Sequence, residues 1–245
     1  MTRDLSIIVP TLNEADRISA CLFQLSKLQP LEIIVVDNGS TDTTASDVGC
    51  WAKYKELLAC DVRLIQLPKP GKGAAVRAGM LAARGAVCYM ADCDLSTPAS
   101  YVLDFLLFKR TCKADVVIGS RGMRKSLVSQ SVRRALSGYV FNTITRMLLP
   151  DIRDTQCGFK MFTHQAAQAI FGNLQLEGLA FDVEVLLEAR RLGYKVVEMH
   201  VMWIQDPQSR VHVVRDGIRM ARDLWSLARR YRFKSAVELG TSLPL

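Results

Sequence analysis

Histidine is scarce in this chain of 245 residues, and cysteine lacks the spacing of a metal site or a disulfide framework. The three histidines, His164, His200 and His212, stand apart from other typical zinc ligands. The 7 cysteines form no Cys-x-x-Cys pair, and their number is odd. These features argue against a zinc site and favour reduced, partly buried thiols in a cytosolic setting.

Long apolar runs are missing as well. None reaches the roughly 18 residues that a membrane-spanning helix requires, and residues 1–4 are too few and too acidic for a secretory signal. Acidic residues are fewer than basic ones: 24 aspartates and glutamates stand against 32 lysines and arginines, which gives a formal net charge of +8. This excess predicts an anionic partner: a nucleotide, a nucleic acid or a membrane surface. Activity on a lipid would therefore require peripheral binding at a membrane surface.

The first half of the chain alternates apolar strands with turns and amphipathic helices. The strands are predicted at residues 5–10, 31–36, 62–67 and 87–91. Each is a continuous apolar run, which is typical of a parallel sheet buried on both faces. We therefore predict an α/β fold with a mostly parallel, Rossmann-like sheet that is flanked by helices. Ligands of such sheets bind beyond the carboxyl ends of the strands.

Polar residues gather in the loops at that edge of the predicted sheet, at Asn13, Glu14, Asp37, Asp42, Lys72, Asp92 and Asp94. Asp92 and Asp94 follow the fourth strand one residue apart, so both carboxylates can face the same way. Such a pair suits Mg²⁺ or Mn²⁺, with phosphates completing the coordination shell. A capped turn is the alternative for an isolated pair, but several loops converge here. Lys72, at a helix N-terminus, suits an anionic or ribosyl ligand.

The second half is less regular. Helices are predicted at 101–109, 132–149, 181–192 and 216–231, strands at 114–119 and 195–203, and a mobile loop at 122–132. The helices at 132–149 and 216–231 carry arginines beside an apolar stripe, which indicates interfacial membrane contact. The same pattern fits helices that pack their apolar stripes on the sheet. No internal repeat or interdomain linker is evident.

Six motifs occur in the order of a known family: residues 10–14, 37–42, 71–73, 92–94, 119–121 and 154–160. On these residues the chain resembles the inverting family 2 glycosyltransferases of the GT-A fold, and within them the polyprenyl-phosphate sugar synthases. The resemblance extends from about residue 5 to 231. Asp154 to Lys160, followed by Phe181-Asp182-x-Glu184, is the most specific part and is similar to dolichyl-phosphate β-glucosyltransferases.

This resemblance implies transfer of glucose from UDP-glucose to dolichyl or polyprenyl phosphate, with inversion to a β-linked product. The alternative within the family is a GDP-mannose-dependent mannosyltransferase. The resemblance implies one GT-A domain over residues 1–231, with a nucleotide-sugar half (1–98) and an acceptor half (99–231). A tail follows at residues 232–245. The expected location is the cytosolic face of a membrane, either the endoplasmic reticulum or a bacterial plasma membrane.

The resemblance also implies roles for individual residues. The donor set is Pro10, Thr11, Asn13, Glu14, Asp37, Gly39, Lys72, Asp92, Cys93 and Asp94, with the Cys93 side chain pointing away from the metal. The metal ligands for Mg²⁺ or Mn²⁺ are Asp92 and Asp94. The catalytic set is Asp92, Asp94, Arg121, Arg133, Gln156, Asp182 and Arg210. The arginines would bind the donor diphosphate or the acceptor phosphate, and Gln156 and Asp182, with Asp154, would contact the sugar or the acceptor.

Other classes remain open on the residues alone. A basic nucleic-acid-binding protein accounts for the charge, but no stacking platform or recognised binding motif accompanies the arginines. A nucleotidyltransferase can also use an Asp-x-Asp site, although it leaves residues 154–160 without a role. A nucleotide-binding protein without activity is a third possibility. The sequence does not indicate the oligomeric state.

Overall fold

A seven-stranded sheet forms the centre of the computed structural model, which describes residues 2–53, 59–129, 143, 145–204 and 213–238. The strands are β1 Leu5–Thr11, β2 Glu32–Asp37, β3 Asp61–Gln66, β4 Val87–Met90, β5 Val116–Ser120, β6 Leu127–Ser129, β7 Lys160–Thr163, β8 Val196–His200 and β9 Met202–Ile204. The helices are α1 Ile18–Ser26, α2 Thr44–Ala52, α3 Lys72–Ala82, α4 Tyr101–Cys112, α5 His164–Gly172, α6 Phe181–Arg191 and α7 Val213–Glu238. Arg133, Arg210 and most of the predicted helix at 132–149 lie outside the described residues.

The order of the main sheet is β3-β2-β1-β4-β7-β5-β8, while β6 and β9 form a separate parallel pair. Within the main sheet β7 is antiparallel to both of its neighbours, and the other pairs are parallel. The carboxyl ends of β1, β2, β4 and β5 therefore share one edge. Because β7 runs the other way, its first residue, Lys160, lies at that same edge, opposite Met90 and Ile118.

Apolar side chains form one core on each face of the sheet. On one face α1 contributes Ile18, Cys21, Leu22 and Leu25, whose spacing of three and four residues puts them on one side of the helix. On the other face α3, α5 and α6 pack on the sheet, and α7 adds Leu224, Leu227 and Tyr231. The apolar stripe of α7 therefore packs inside the protein, which leaves only its other faces for further contacts.

The predicted α/β fold is confirmed, and the differences lie in the second half. The predicted strand at 195–203 is two strands in different sheets, because the fully buried Val201 separates β8 from β9. The predicted loop at 122–132 contains β6, whose parallel pairing with β9 comes from residues more than seventy positions away. Strand β7 and helix α5 have no counterpart in the sequence predictions. With four residues, the first of them a lysine, β7 has too short an apolar pattern to be recognised.

Throughout the described ranges, every helix is too short or too polar to span a lipid bilayer.

Candidate active site

The polar residues of separate loops meet at the carboxyl edge of the sheet. Asp92 follows β4, Arg121 follows β5, and Lys160 begins β7. Two helices begin at the same place, since α3 starts with Lys72 and α6 places Asp182 in its first turn. Oppositely charged groups from five elements therefore surround one cleft, as expected for a sheet with parallel strands.

The pair formed by Lys72 and Asp92 lies at the centre of this edge. Lys72 Nζ is 2.6 Å from Asp92 Oδ1, and the two side chains are 31% and 33% exposed. Burial raises the pKa of Asp92, but the Lys72 ammonium outweighs it, so the pKa stays below its ordinary value. Burial lowers the pKa of Lys72, whereas Asp92 and Asp182 raise it above its ordinary value. Both groups are therefore charged at neutral pH.

Gly158 covers the second oxygen of Asp92. A Cβ atom built on Gly158 would lie 1.8 Å from Asp92 Oδ2 and 2.6 Å from its Cγ. No side chain fits there unless the carboxylate moves. The segment predicted to be most specific to the family is thus in direct contact with the Asp-x-Asp motif.

A buried ion pair supports the cleft from below. Lys160 is 1% exposed, and its ammonium donates to Asp182 and, over 2.7 Å, to the carbonyl oxygen of Cys157. Burial raises the pKa of Asp182, and the nearby Lys160 and Lys72 ammonium groups only partly oppose it. Asp182 is therefore occupied by Lys160 in this conformation, and its predicted contact with the sugar or acceptor stays a prediction.

Arg121 is held by a second buried acid, Asp154. The guanidinium makes a bidentate pair, with Nε 2.7 Å from Asp154 Oδ2 and Nη2 2.9 Å from Oδ1, and the Arg121 backbone amide adds a bond of 3.0 Å. The Cζ atom of Arg121 lies 5.1 Å from the centre of the Trp203 ring. Asp154, which is 1% exposed, therefore positions Arg121, and Gln156 closes the turn by donating its amide to Asp154.

This pair predicts an acid-sensitive contribution to stability. Burial raises the pKa of Asp154 but Arg121 lowers it further, so the folded pKa lies below its ordinary value. The stabilisation is then complete above the unfolded pKa of about 3.9 and is lost as the pH falls through the folded pKa. Asp154→Asn should therefore lower the free energy of unfolding by about 3 kcal/mol near pH 7.

Urea unfolding of both proteins over a range of pH values measures this difference. The difference in free energy of unfolding between the two proteins should become smaller as the pH falls below about 4, because a protonated Asp154 is uncharged like asparagine. A difference that stays constant down to about pH 3 would contradict the assignment of the stabilisation to the ionised carboxylate.

The predicted donor residues at the ends of β1 and β2 are joined by hydrogen bonds. Asn13 has a positive φ of 56°. Its side-chain Oδ1 accepts the Thr41 backbone amide at 2.8 Å, and its backbone amide donates to Ser40 Oγ at 2.8 Å. The Ser40 amide donates to the buried Asp37 over 3.3 Å. Pro10 and Thr11 end β1, while Gly39 has a φ of 82° and approaches the Leu67 carbonyl. These residues form one rigid rim beside the cleft.

At the N-terminus of α3 the structure shows a contact that the sequence did not predict. An anion at this helix N-terminus would use the first free amides, but those of Gly73 and Ala74 point to the carbonyl oxygen of Glu177, at 2.8 and 3.4 Å. Lys72 therefore faces the cleft with its ammonium, while the helix amides are used by the protein. Glu14, beside the rim, pairs with Arg17.

Asp94 and Asp92 supply the carboxylate oxygens that a divalent cation prefers. Asp94 is exposed, and its Oδ1 accepts the Ser96 amide at 2.9 Å. Cys93 between them is buried and packs on the core beside Cys21, and the contact between the thiols, with burial, raises its pKa. Within the described residues, no group of three or more histidine, cysteine or acidic side chains could hold a metal ion. Asp94 offers an exposed carboxylate to a cation whose remaining ligands are phosphate and water oxygens, while Asp92 is paired with Lys72 in this conformation.

The structure thus brings together most of the residues predicted from the sequence, and it adds others. Within the described residues, Asp92, Asp94, Arg121, Lys72 and Asp182 all border the cleft, although their roles there stay predictions. Sequence reasoning gave no separate role to Gly158, Lys160 or Glu184. No local pattern marks Lys160 as a buried cation, because its partner Asp182 lies 22 positions away in the sequence.

Comparisons with known proteins agree with this arrangement. A sequence profile described as "Glycosyl transferase family 2" matches residues 6–171. Dolichyl-phosphate beta-glucosyltransferase of Dictyostelium discoideum is 34% identical over 245 residues, which cover 93% of this chain and 74% of that protein. The Homo sapiens protein of the same name is 34% identical over 250 residues, with 94% and 76% covered.

Solved structures support the fold. Glucosyl-3-phosphoglycerate synthase from Mycobacterium tuberculosis, in complex with Mn²⁺ and UDP-glucose, has a TM-score of 0.67 with 19% identity, covering 94% of this chain and 79% of that one. This likeness confirms the GT-A type of sheet. The profile and the relatives confirm the predicted family and the prediction of an enzyme that transfers sugars. The chain belongs to glycosyl transferase family 2.

Proposed function

We propose that this glycosyltransferase moves glucose from UDP-glucose to the phosphate of a dolichyl or related polyprenyl lipid, and inverts the anomeric carbon. The observation that carries the proposal is the 34% identity to dolichyl-phosphate β-glucosyltransferases over more than nine-tenths of this chain. That similarity extends through both the sheet edge and the second half. The paired acids and cations of the cleft supply the charges that such a reaction needs.

The donor would lie across the rim and the cleft. Carboxylates such as Asp37 accept hydrogen bonds from ribose hydroxyls or base N–H groups. Asp94, with Asp92, would hold Mg²⁺ or Mn²⁺, and a structural neighbour was crystallised with Mn²⁺ and UDP-glucose. When bound, the cation neutralises the charge that develops on the departing diphosphate. Lys72 and Arg121 border the same region and would add positive charge.

The reaction requires alignment more than proton transfer. A phosphate oxygen of the lipid would form a bond to the anomeric carbon, while the bond from that carbon to the diphosphate oxygen breaks and UDP leaves. A phosphate is already ionised at neutral pH, so no general base is needed. The fixed positions of Asp92, Lys72 and Arg121 would then hold the donor in line.

The lipid side of the site would face a membrane surface. Trp225 on α7 is 63% exposed, and the Arg229 guanidinium lies 4.9 Å from its ring centre. Leu127 and Ile204, on the small β6–β9 sheet, are also exposed, and the Ile204 amide bonds to the Ser96 carbonyl beside Asp94 at 2.9 Å. Exposed aromatic and cationic side chains are suited to an anionic lipid interface. We place the protein peripherally at the cytosolic face.

The donor and acceptor are tested by incubating the purified protein with labelled UDP-glucose or GDP-mannose and short polyprenyl phosphates. We expect metal-dependent, chloroform-soluble label from UDP-glucose and little from GDP-mannose. Preference for GDP-mannose would instead establish the mannosyltransferase alternative. If the label stays in the aqueous phase with every lipid tested, a polyprenyl phosphate is not the acceptor.

Gly158→Ala should lower this transfer activity about 100-fold, because a displacement of the order of 1 Å at a reacting centre has that effect. The added methyl group would occupy the place of the Asp92 carboxylate and push it from Lys72. Initial rates with UDP-glucose measure the loss. Gly49→Ala is the matched control, since a Cβ there meets nothing within 4 Å. Equal activity of the two variants would show that the position of Asp92 is unimportant.

A further inference from the structure

Glu184 is a fully buried acid of α6 that binds three groups from two other segments. Its Oε1 accepts the Gln175 amide at 3.1 Å, and its Oε2 accepts the Leu176 amide at 2.7 Å. The guanidinium of Arg230, on α7, pairs with the same carboxylate. Since Glu184 has no exposed surface, these bonds replace its hydration and hold the loop and α7 together.

The loop held by Glu184 lies directly on the start of α3. The Glu177 carbonyl oxygen accepts the Gly73 amide at 2.8 Å. A Cβ atom on Gly73 would lie 2.5 Å from the Leu176 carbonyl oxygen, so the loop and the helix meet without a side chain between them. Lys72, the first residue of α3, reaches from this point to Asp92.

The loop also lies close to α7. A Cβ atom on Gly178 would lie 3.5 Å from Asp223 Oδ2. One continuous set of contacts therefore runs from α7 through Glu184 and the loop at 175–178 to Lys72. A shift of that loop would move the residue that holds Asp92 in place.

We propose that Glu184 is a positioning residue for glycosyl transfer: with Arg230, it fixes the loop at 175–178 against α3 and so sets Lys72 against Asp92. The catalytic part of this inference rests on the proposed function, but the positioning itself does not. Through Arg230, the basic helix α7 becomes part of the structure that shapes the nucleotide-sugar site. Residues far from the motif in the sequence would therefore act on it through packed contacts.

Glu188 provides a matched control on the same helix, one turn later. It is equally buried, and it also bonds to α7, through the Tyr231 hydroxyl at 2.9 Å, as well as to Arg191 of its own helix. Neither of these partners belongs to the loop over α3. Glu184→Gln and Glu188→Gln therefore remove similar buried charges, while only the first weakens the hold on the loop.

Hydrogen exchange of the intact protein tests the positioning without any substrate. In Glu184→Gln the Gly73 amide should exchange about tenfold faster or more, because opening of its bond to Glu177 becomes easier. Arg230→Met should also accelerate exchange of the Gly73 amide. Arg230→Lys, which keeps the positive charge, should accelerate it less than Arg230→Met does. Glu188→Gln should leave it unchanged, even if thermal stability falls equally in both. Unchanged exchange at Gly73 in Glu184→Gln and Arg230→Met, or equal acceleration in Glu188→Gln, would overturn the proposal.

Kinetics then separate positioning from general stability. Well below the melting temperature of each variant, kcat/KM for UDP-glucose should fall about tenfold in Glu184→Gln, with a raised KM, and stay within about twofold in Glu188→Gln. A loss of the same size in both variants would overturn the role in catalysis. If the unmodified protein transfers no glucose, the proposed function fails, while the exchange result still decides the positioning.

Discussion

Asp94→Asn is expected to reduce glucosyl transfer by about 100- to 1,000-fold, the loss typical when a group that stabilises transition-state charge is removed. Asp94 is exposed beside the cleft, and one oxygen is used only to close the turn with Ser96. An asparagine can keep that turn but has lost the charge that binds a divalent cation. Initial rates over a series of Mg²⁺ and Mn²⁺ concentrations measure the effect, which excess metal should partly relieve.

Asp104→Asn is the control for this loss. Asp104 is an exposed acid on the helix that follows the motif, and it faces solvent. Its replacement removes the same charge from the same region of the chain and should leave the rate within about twofold, since surface substitutions have small effects. Full activity of Asp94→Asn at low metal concentration would refute the assignment of Asp94 as a metal ligand.

Lys160→Met is expected to lower the free energy of unfolding by about 3–5 kcal/mol, because it leaves the buried Asp182 without its ion-pair partner. Asp182 is 5% exposed, so water cannot replace the ammonium. Lys160 also donates to the Cys157 carbonyl, which precedes the glycine that covers Asp92. Urea unfolding measures the stability, and the residual activity of the folded fraction should fall as well.

Two further variants separate this effect from a general loss of charge. Combining Lys160→Met with Asp182→Asn should recover part of the stability, because no uncompensated charge stays buried. Arg190→Met breaks the exposed pair between Arg190 and Asp151, whose side chains are 54% and 77% exposed, and should change stability little. A loss of less than about 1 kcal/mol in Lys160→Met would contradict a structural role for the buried pair.

The sequence was sufficient to predict the parallel strands of the first half and the position of the main motif. The strands β1, β2 and β4 are continuous apolar runs that end in polar residues, and such runs have one stable arrangement between layers of helices. Asp92 and Asp94 follow from that pattern, since they directly follow β4. The rim formed by Asn13 and Asp37 lies where parallel strands must end.

The partners of these residues depend on the tertiary fold. Arg121 and Asp154 are separated by 33 positions, and Lys72 and Asp92 by 20. The pairing of Arg121 with Asp154 also depends on the antiparallel insertion of β7, which the short and partly charged segment at 160–163 does not indicate. The sequence therefore predicted contacts of Asp154 and Asp182 with the sugar or the acceptor, which stay predictions, but it did not predict their ion pairs with Arg121 and Lys160.

Lys72 is a further example. Its place at a helix N-terminus predicted an anionic or ribosyl ligand, which stays a prediction, but the sequence did not predict that the Glu177 carbonyl accepts the amides of Gly73 and Ala74. A loop more than one hundred positions away provides that contact, and no local pattern predicts it.

The most direct test of the account is the product formed from UDP-glucose and dolichyl phosphate by the purified protein with Mg²⁺ or Mn²⁺. We expect a chloroform-soluble glucosyl phosphate whose anomeric carbon, examined by NMR, has the β configuration. The rate of its formation should fall about 100- to 1,000-fold in Asp94→Asn and stay within about twofold in Asp104→Asn. An α-linked product, or glucose released only to water, would contradict inverting transfer to a lipid phosphate.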